Sequence, residues 1–163
     1  MTIFGKRLSE YVAFCWPFLV LILVVGITRL VLSYKGEPFS IVKWISITAV
    51  MTIGVIYYSI RIHTSGFGSY KQLLPMCVLQ LLTTQLIVVP AIIVAILTGH
   101  DNVYSIPEAA FGSDGKTWGH VLAHLFIGPT LGSLMNWLVG CVIMFITKKV
   151  APRASERKVA ARS

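Results

Sequence analysis

Apolar positions along this chain gather into four long runs separated by short polar stretches. Within the runs neither the alternation of a half-buried strand nor the one-sided stripe of a soluble helix organises them. An α-helix needs about 20 apolar residues to cross a hydrocarbon layer roughly 30 Å thick. The runs fall at 11–32, 41–60, 73–97 and 118–147. The expected fold is all-α: an integral membrane bundle of four antiparallel transmembrane helices. Residues 1–147 form the domain, and 148–163 form a basic tail with no expected order.

The first run follows Lys6 and Arg7 but is too long for a cleaved leader and lacks an A-x-A site, so it reads as an uncleaved span. Pro17 lies near its start, and Arg29 lies about one turn from its end, placed to snorkel to the interface or, as the alternative, to face a pathway as an intramembrane charge. The SYKGEPFS link with Gly36 and Pro38 predicts a tight turn into the second run. Lys43 and Trp44 at one end of that run, and Tyr57 and Tyr58 at the other, are interface anchors. The link from His63 to Gln72 is rich in glycine and serine; its Gly-x-Gly follows no strand and carries no nucleotide signal. In the third run Gln80, Thr83, Thr84 and Gln85 form a polar patch that needs partners inside a bilayer. In the long link from Thr98 to Thr117, Ser105 and Glu108 have capping-box spacing, with Pro107 inside and Gly112 as a stop. This predicts a short interfacial helix with Ile106, Ala110 and Phe111 toward the bundle.

Composition confirms the class and excludes a soluble domain: hydrophobic residues are 56% of the chain, charged residues 12%, and the mean hydropathy is +0.80. The net charge of +8 matters through its placement. Lys6, Arg7, Arg61 and Lys71 share a side with Lys148, Lys149, Arg153, Arg157, Lys158 and Arg162 of the tail. Only Arg29, Lys35, Lys43 and Lys116 fall on the other. The positive-inside rule then puts both termini in the cytoplasm, in a bacterial inner membrane, with the tail against anionic lipid. No aromatic and basic platform for nucleic acid is present. Cys15, Cys77 and Cys141 form no C-x-x-C motif and read as small packing residues.

Candidate chemistry concentrates in the fourth run. His120, His124, Gly128, Gly132, Asn136 and Gly140 recur every four residues, yet each step turns about 40° around a helix, so the series divides in two. The histidine end belongs with the outer link. His120 and His124 share a face, and His100 and Asp101 are candidate third and fourth ligands of a transition metal, or His100 a second axial ligand of a haem. The glycine and asparagine end belongs with helix packing: Gln85 and Asn136 fall at similar depth and predict an amide pair, with Gln80 above or below them lining packing or a polar path. Pro90 and Pro129 make matched helix breaks of the kind found in transporters. No G-x-S-x-G and no acidic residue within the four runs supports hydrolysis, so an enzyme is not expected. Three functions follow: a structural or accessory subunit of a membrane complex or homo-oligomer, joined through Gly128, Gly132 and Gly140; an outward-facing metal or haem protein; or a small transporter or channel subunit.

Overall fold

The computed structural model describes residues 2–110 and 112–152, so Phe111 and the tail residues Arg153, Arg157, Lys158 and Arg162 lie outside the described residues. Four helices are long and apolar enough to cross a membrane: Leu8–Tyr34, Phe39–Thr64, Tyr70–Thr98 and Trp118–Val150. Each starts or ends beyond its apolar run because capping groups, not hydropathy, set the termini. Helix α1, Leu8–Tyr34, begins where Glu10 accepts from the Arg7 backbone N–H at 2.7 Å. The second span is two pieces, α2 at Phe39–Val42 and α3 at Ile47–Thr64. Ser46 restarts the helix by accepting from the Ala49 N–H at 3.2 Å. Helix α4, Tyr70–Thr98, opens on the Ser69 and Gln72 capping box and closes on Gly99, whose φ of 73° suits a residue without Cβ.

The fourth span carries the larger surprise. Its α5, Trp118–Leu122, passes through a π-helical turn at Ala123–Ile127 into α6, Gly128–Val150. Pro129 has no N–H to give the Leu125 carbonyl. The chain widens just before it, with the Gly128 N–H reaching Ala123 O, and the Thr130 hydroxyl donates to Phe126 O at 2.6 Å. Pro90, by contrast, sits within continuous α4.

Consecutive spans run antiparallel, but they are not placed in sequence order around the bundle. The order is α1, α3, α6, α4, with α1 and α6 on opposite corners. The neighbours α1 and α4 are therefore parallel, as are α3 and α6. Helix α6 meets α4 with Gly140 against Leu73, Gly132 against Leu81 and Gly128 against Gln85. The glycine ridge expected to join copies or partners is filled by this chain's own α4 side chains. At Gly140 a Cβ would lie 2.6 Å from Leu73 Cδ2 and 2.7 Å from Ser59 Oγ of α3.

Apolar packing forms two clusters, one around Ile22, Ile47, Ile92 and Tyr104, the other around Tyr11, Tyr58, Met76 and Met144. At the second end, strands β1, Thr2–Ile3, and β2, Lys6–Arg7, form a hairpin. Gln72 Nε2 donates to Phe4 O at 2.8 Å, and His63 Nε2 contacts Ala151 O at 3.0 Å. This end thus gathers the start of the chain, the link between α3 and α4, and the end of α6. The long link between α4 and α5 closes the other end.

That link does not form the expected interfacial helix. Ser105 does not pair with Glu108; its Oγ accepts from the Asn102 N–H at 2.9 Å. Asn102, 1% exposed, takes over the local geometry: its Oδ1 accepts from Tyr104 N at 3.0 Å and its Nδ2 donates to Ala91 O of α4 at 2.7 Å. A buried side chain bonded to two backbone groups outcompetes the capping box that Ser105 and Glu108 would form. Residues 103–110 follow as turns, with Val103 and Tyr104, rather than Ile106, driven into the bundle.

Candidate functional site

The polar patch of α4 sets the site. Thr84 and Gln85 follow Gln80 by one turn and face inward. Thr84 Oγ1 lies 3.1 Å from Gln80 O and 3.4 Å from Met51 Sδ. Gln85 Oε1 meets His124 Nδ1 at 3.1 Å, a geometry that places a proton on Nδ1. The amide pair expected between Gln85 and Asn136 is therefore not formed. Counting depth from assumed helix ends misplaced the register. Gln85 stands opposite Gly128, and Asn136 lies two turns farther along α6. Gln80 is 0% exposed, packs its amide against Gly54, and finds no hydrogen-bond partner among the described residues.

Between this patch and the long link lies a cavity of about 350 Å³. Its walls are Thr84, Gln85 and Val88 of α4, Ile47 and Met51 of α3, His124 and Gly128 of the fourth span, Tyr104 and Glu108 of the link, and Arg29 of α1. Thr48 and Glu108, both exposed, bring it to the surface. Arg29 stands half-buried at this wall. Its guanidinium lies 5.6 Å from the Tyr104 ring, and its Nε is buried with no acceptor among the described residues. Tyr104 is fixed over it by donating its hydroxyl to Gly26 O at 2.9 Å. Gly26 also lets α4 pack closely here, since a Cβ there would lie 2.6 Å from Ile87 Cδ1. Burial pushes the Tyr104 hydroxyl up to about 12, against a smaller opposite pull from Arg29, so it remains a proton donor at neutral pH.

The histidines divide. His120 and His124 are together, ring centroids 4.8 Å apart, and border a second cavity of about 430 Å³ with Asp114. His120 Nδ1 is engaged by Gly115 O at 2.9 Å. His124 walls both cavities. His100 is exposed, its Nδ1 against Thr98 O at 3.0 Å, and with Asp101 it borders a groove between α1 and α4. Asp101 is paired with Lys116 at 2.6 Å. The ligand set His100, Asp101, His120 and His124 is thus not assembled, and among the described residues no three His, Cys, Asp or Glu side chains group as a metal ion requires. The α1–α4 groove is larger than either cavity, at about 850 Å³, but its walls are chiefly apolar side chains such as Leu23, Ile27, Leu86 and Val94. That chemistry suits acyl chains better than a polar ligand. Of the tail cations, Lys148 lies over the Tyr70 ring and Lys149 over the Phe145 ring, both at the end away from the cavity.

Sequence reasoning favoured Arg29 as an interface anchor over a charge facing a pathway, and passed over Asn102 and Tyr104. A charge inside an apolar run was the available signal for Arg29. Nothing local marks Asn102 or Tyr104, since their importance comes from contacts with residues far along the chain. The chain matches no protein-family model, no curated protein and no solved structure.

Proposed function

We propose that this protein is a four-span membrane protein that admits a small polar solute into its interhelical cavity and works as a transport or accessory subunit, without catalysis. One observation carries the reading: a cavity walled by Arg29, Thr84, Gln85 and His124 within an otherwise apolar bundle. Polar groups are costly to hold between apolar helices and mark binding pathways when they line a shared space. The subunit reading loses its glycine ridge, which is used internally. Any homo-oligomer or partner contact would use the exposed apolar flank of α6, including Leu131, Met135 and Val142.

We further propose that both termini face the cytoplasm of a bacterial inner membrane and that the cavity faces outward. Lys6, Arg7, Arg61, Lys71, Lys148 and Lys149 collecting at one end support this orientation. Function is tested by uptake of a panel of small polar solutes into proteoliposomes. Protein-dependent uptake is expected, reduced to the protein-free level by Thr84→Phe, which fills the cavity. Uptake unaffected by Thr84→Phe would place any path elsewhere, and absence of protein-dependent uptake would leave the chain a binding or accessory subunit.

A further inference from the structure

We propose that the cavity ligand carries a singly charged oxyanion, a carboxylate or a phosphodiester, bound by the Arg29 guanidinium; this rests on the cavity being open to ligand. The argument is an accounting of hydrogen-bond capacity around the cavity. The Gln85 carbonyl is engaged by His124, the Tyr104 hydroxyl by Gly26 O, and the Thr84 hydroxyl by Gln80 O. What remains unengaged among the described residues is, on the donor side, the Arg29 guanidinium, whose Nε is buried without an acceptor, and the Nε2 of Gln85 beside Gly128, and, on the acceptor side, the Nε2 of His124 and the exposed Glu108 carboxylate. A guanidinium stays charged under all physiological conditions and presents its donors as a planar fork. A half-buried one with no carboxylate partner lacks the acceptor that would offset its desolvation. A carboxylate or phosphodiester supplies two coplanar oxygens to that fork, and its remaining lone pair suits the Gln85 amide.

Glu108 shapes the charge selected. It borders the same cavity but makes no ion pair with Arg29, and its exposed carboxylate lies at the mouth. There it opposes dianions and leaves room for one negative charge. A free organic acid and the phosphodiester of a lipid headgroup present the same chemistry to Arg29.

The test uses the purified full chain in dodecyl maltoside, with thermal unfolding followed against added sodium benzoate or short-chain phosphatidylglycerol, each compared with sodium chloride at equal ionic strength. A saturable upward shift is expected with at least one oxyanion. A shift with both identifies a free acid as a sufficient ligand, and a shift with phosphatidylglycerol alone identifies a lipid headgroup. Arg29→Lys keeps the charge but loses the fork, and is expected to weaken binding about tenfold. Glu108→Gln is expected to tighten it about threefold by removing a screened like charge. No shift beyond that of chloride, or Arg29→Lys binding as tightly as the native chain, overturns the proposal. Should Arg29→Lys not fold, Glu108→Gln decides: weakened or unchanged binding overturns it. If a cysteine at Thr84 is open to aqueous reagent while no oxyanion binds, the cavity reading stands and this inference alone fails.

Discussion

Gly140→Leu is expected to be among the most damaging single changes in the bundle, lowering stability by about 3 kcal/mol, at the upper end of what overpacking a core costs. The added Cβ alone would stand 2.6 Å from Leu73 Cδ2, 2.7 Å from Ser59 Oγ and 3.2 Å from Val55 Cγ1. These neighbours belong to two helices, so moving α6 away from α4 drives it into α3. Ser59 cannot simply rotate aside, because its hydroxyl is bonded to Val55 O. Gly132→Leu is the matched control: its Cβ meets only Leu81, at 3.1 Å, a side chain of one helix rather than two. Thermal unfolding in mild detergent should show a large loss for Gly140→Leu and a smaller one for Gly132→Leu. Equal stability of all three proteins, with altered self-association instead, would mean that the ridge faces a partner rather than α3 and α4.

Tyr104→Ala is expected to cost about 3–4 kcal/mol, the range for truncating a buried aromatic side chain. The ring is 7% exposed and packs in the cluster of Ile22, Ile47 and Ile92. Its loss also removes the bond to Gly26 O and uncovers Arg29. Tyr104→Phe keeps the ring and should lose only about 1 kcal/mol, one net hydrogen bond. Hydrogen exchange supplies the local reading: amides of residues 101–110 should lose protection in Tyr104→Ala while those of α3 and α6 near Gly140 hold theirs. Unchanged protection in the link would show that Asn102 alone anchors it.

Four helices long and apolar enough to cross a membrane were legible because twenty-residue runs record a requirement that acts on every position of a span. The break at Pro129 was legible too, since proline removes a donor wherever it stands, but its conversion into a π turn at 123–127 depended on Gly128 and Thr130 making up the lost bonds. The order of helices around the bundle was hidden. It turns on which glycine meets which leucine, and the pairing of Gly140 with Leu73 is written in no local pattern. The same hidden register moved the partner of Gln85 from Asn136 to His124. The H-x-x-x-H spacing correctly placed His120 and His124 side by side, yet it carried no information about His100, which the αL turn at Gly99 leaves exposed on another face. The capping-box spacing of Ser105 and Glu108 failed because it describes an isolated helix start, whereas Asn102 is bonded into α4.

A solute cavity requires the space beside Thr84 to be aqueous and reached from outside. With Cys15, Cys77 and Cys141 replaced, single cysteines at Thr84, Leu82, Ser65 and Asp114 are exposed in intact cells to a charged, membrane-impermeant thiol reagent. Leu82 is the control on the outer side of the same helix, 48% exposed in the bundle, while Ser65 and Asp114 mark the two ends. Labelling at Thr84→Cys and Asp114→Cys, with Leu82→Cys and Ser65→Cys inert, is the predicted result. Thr84→Cys as inert as Leu82→Cys would contradict a solute cavity, and labelling of Ser65→Cys in place of Asp114→Cys would invert the orientation.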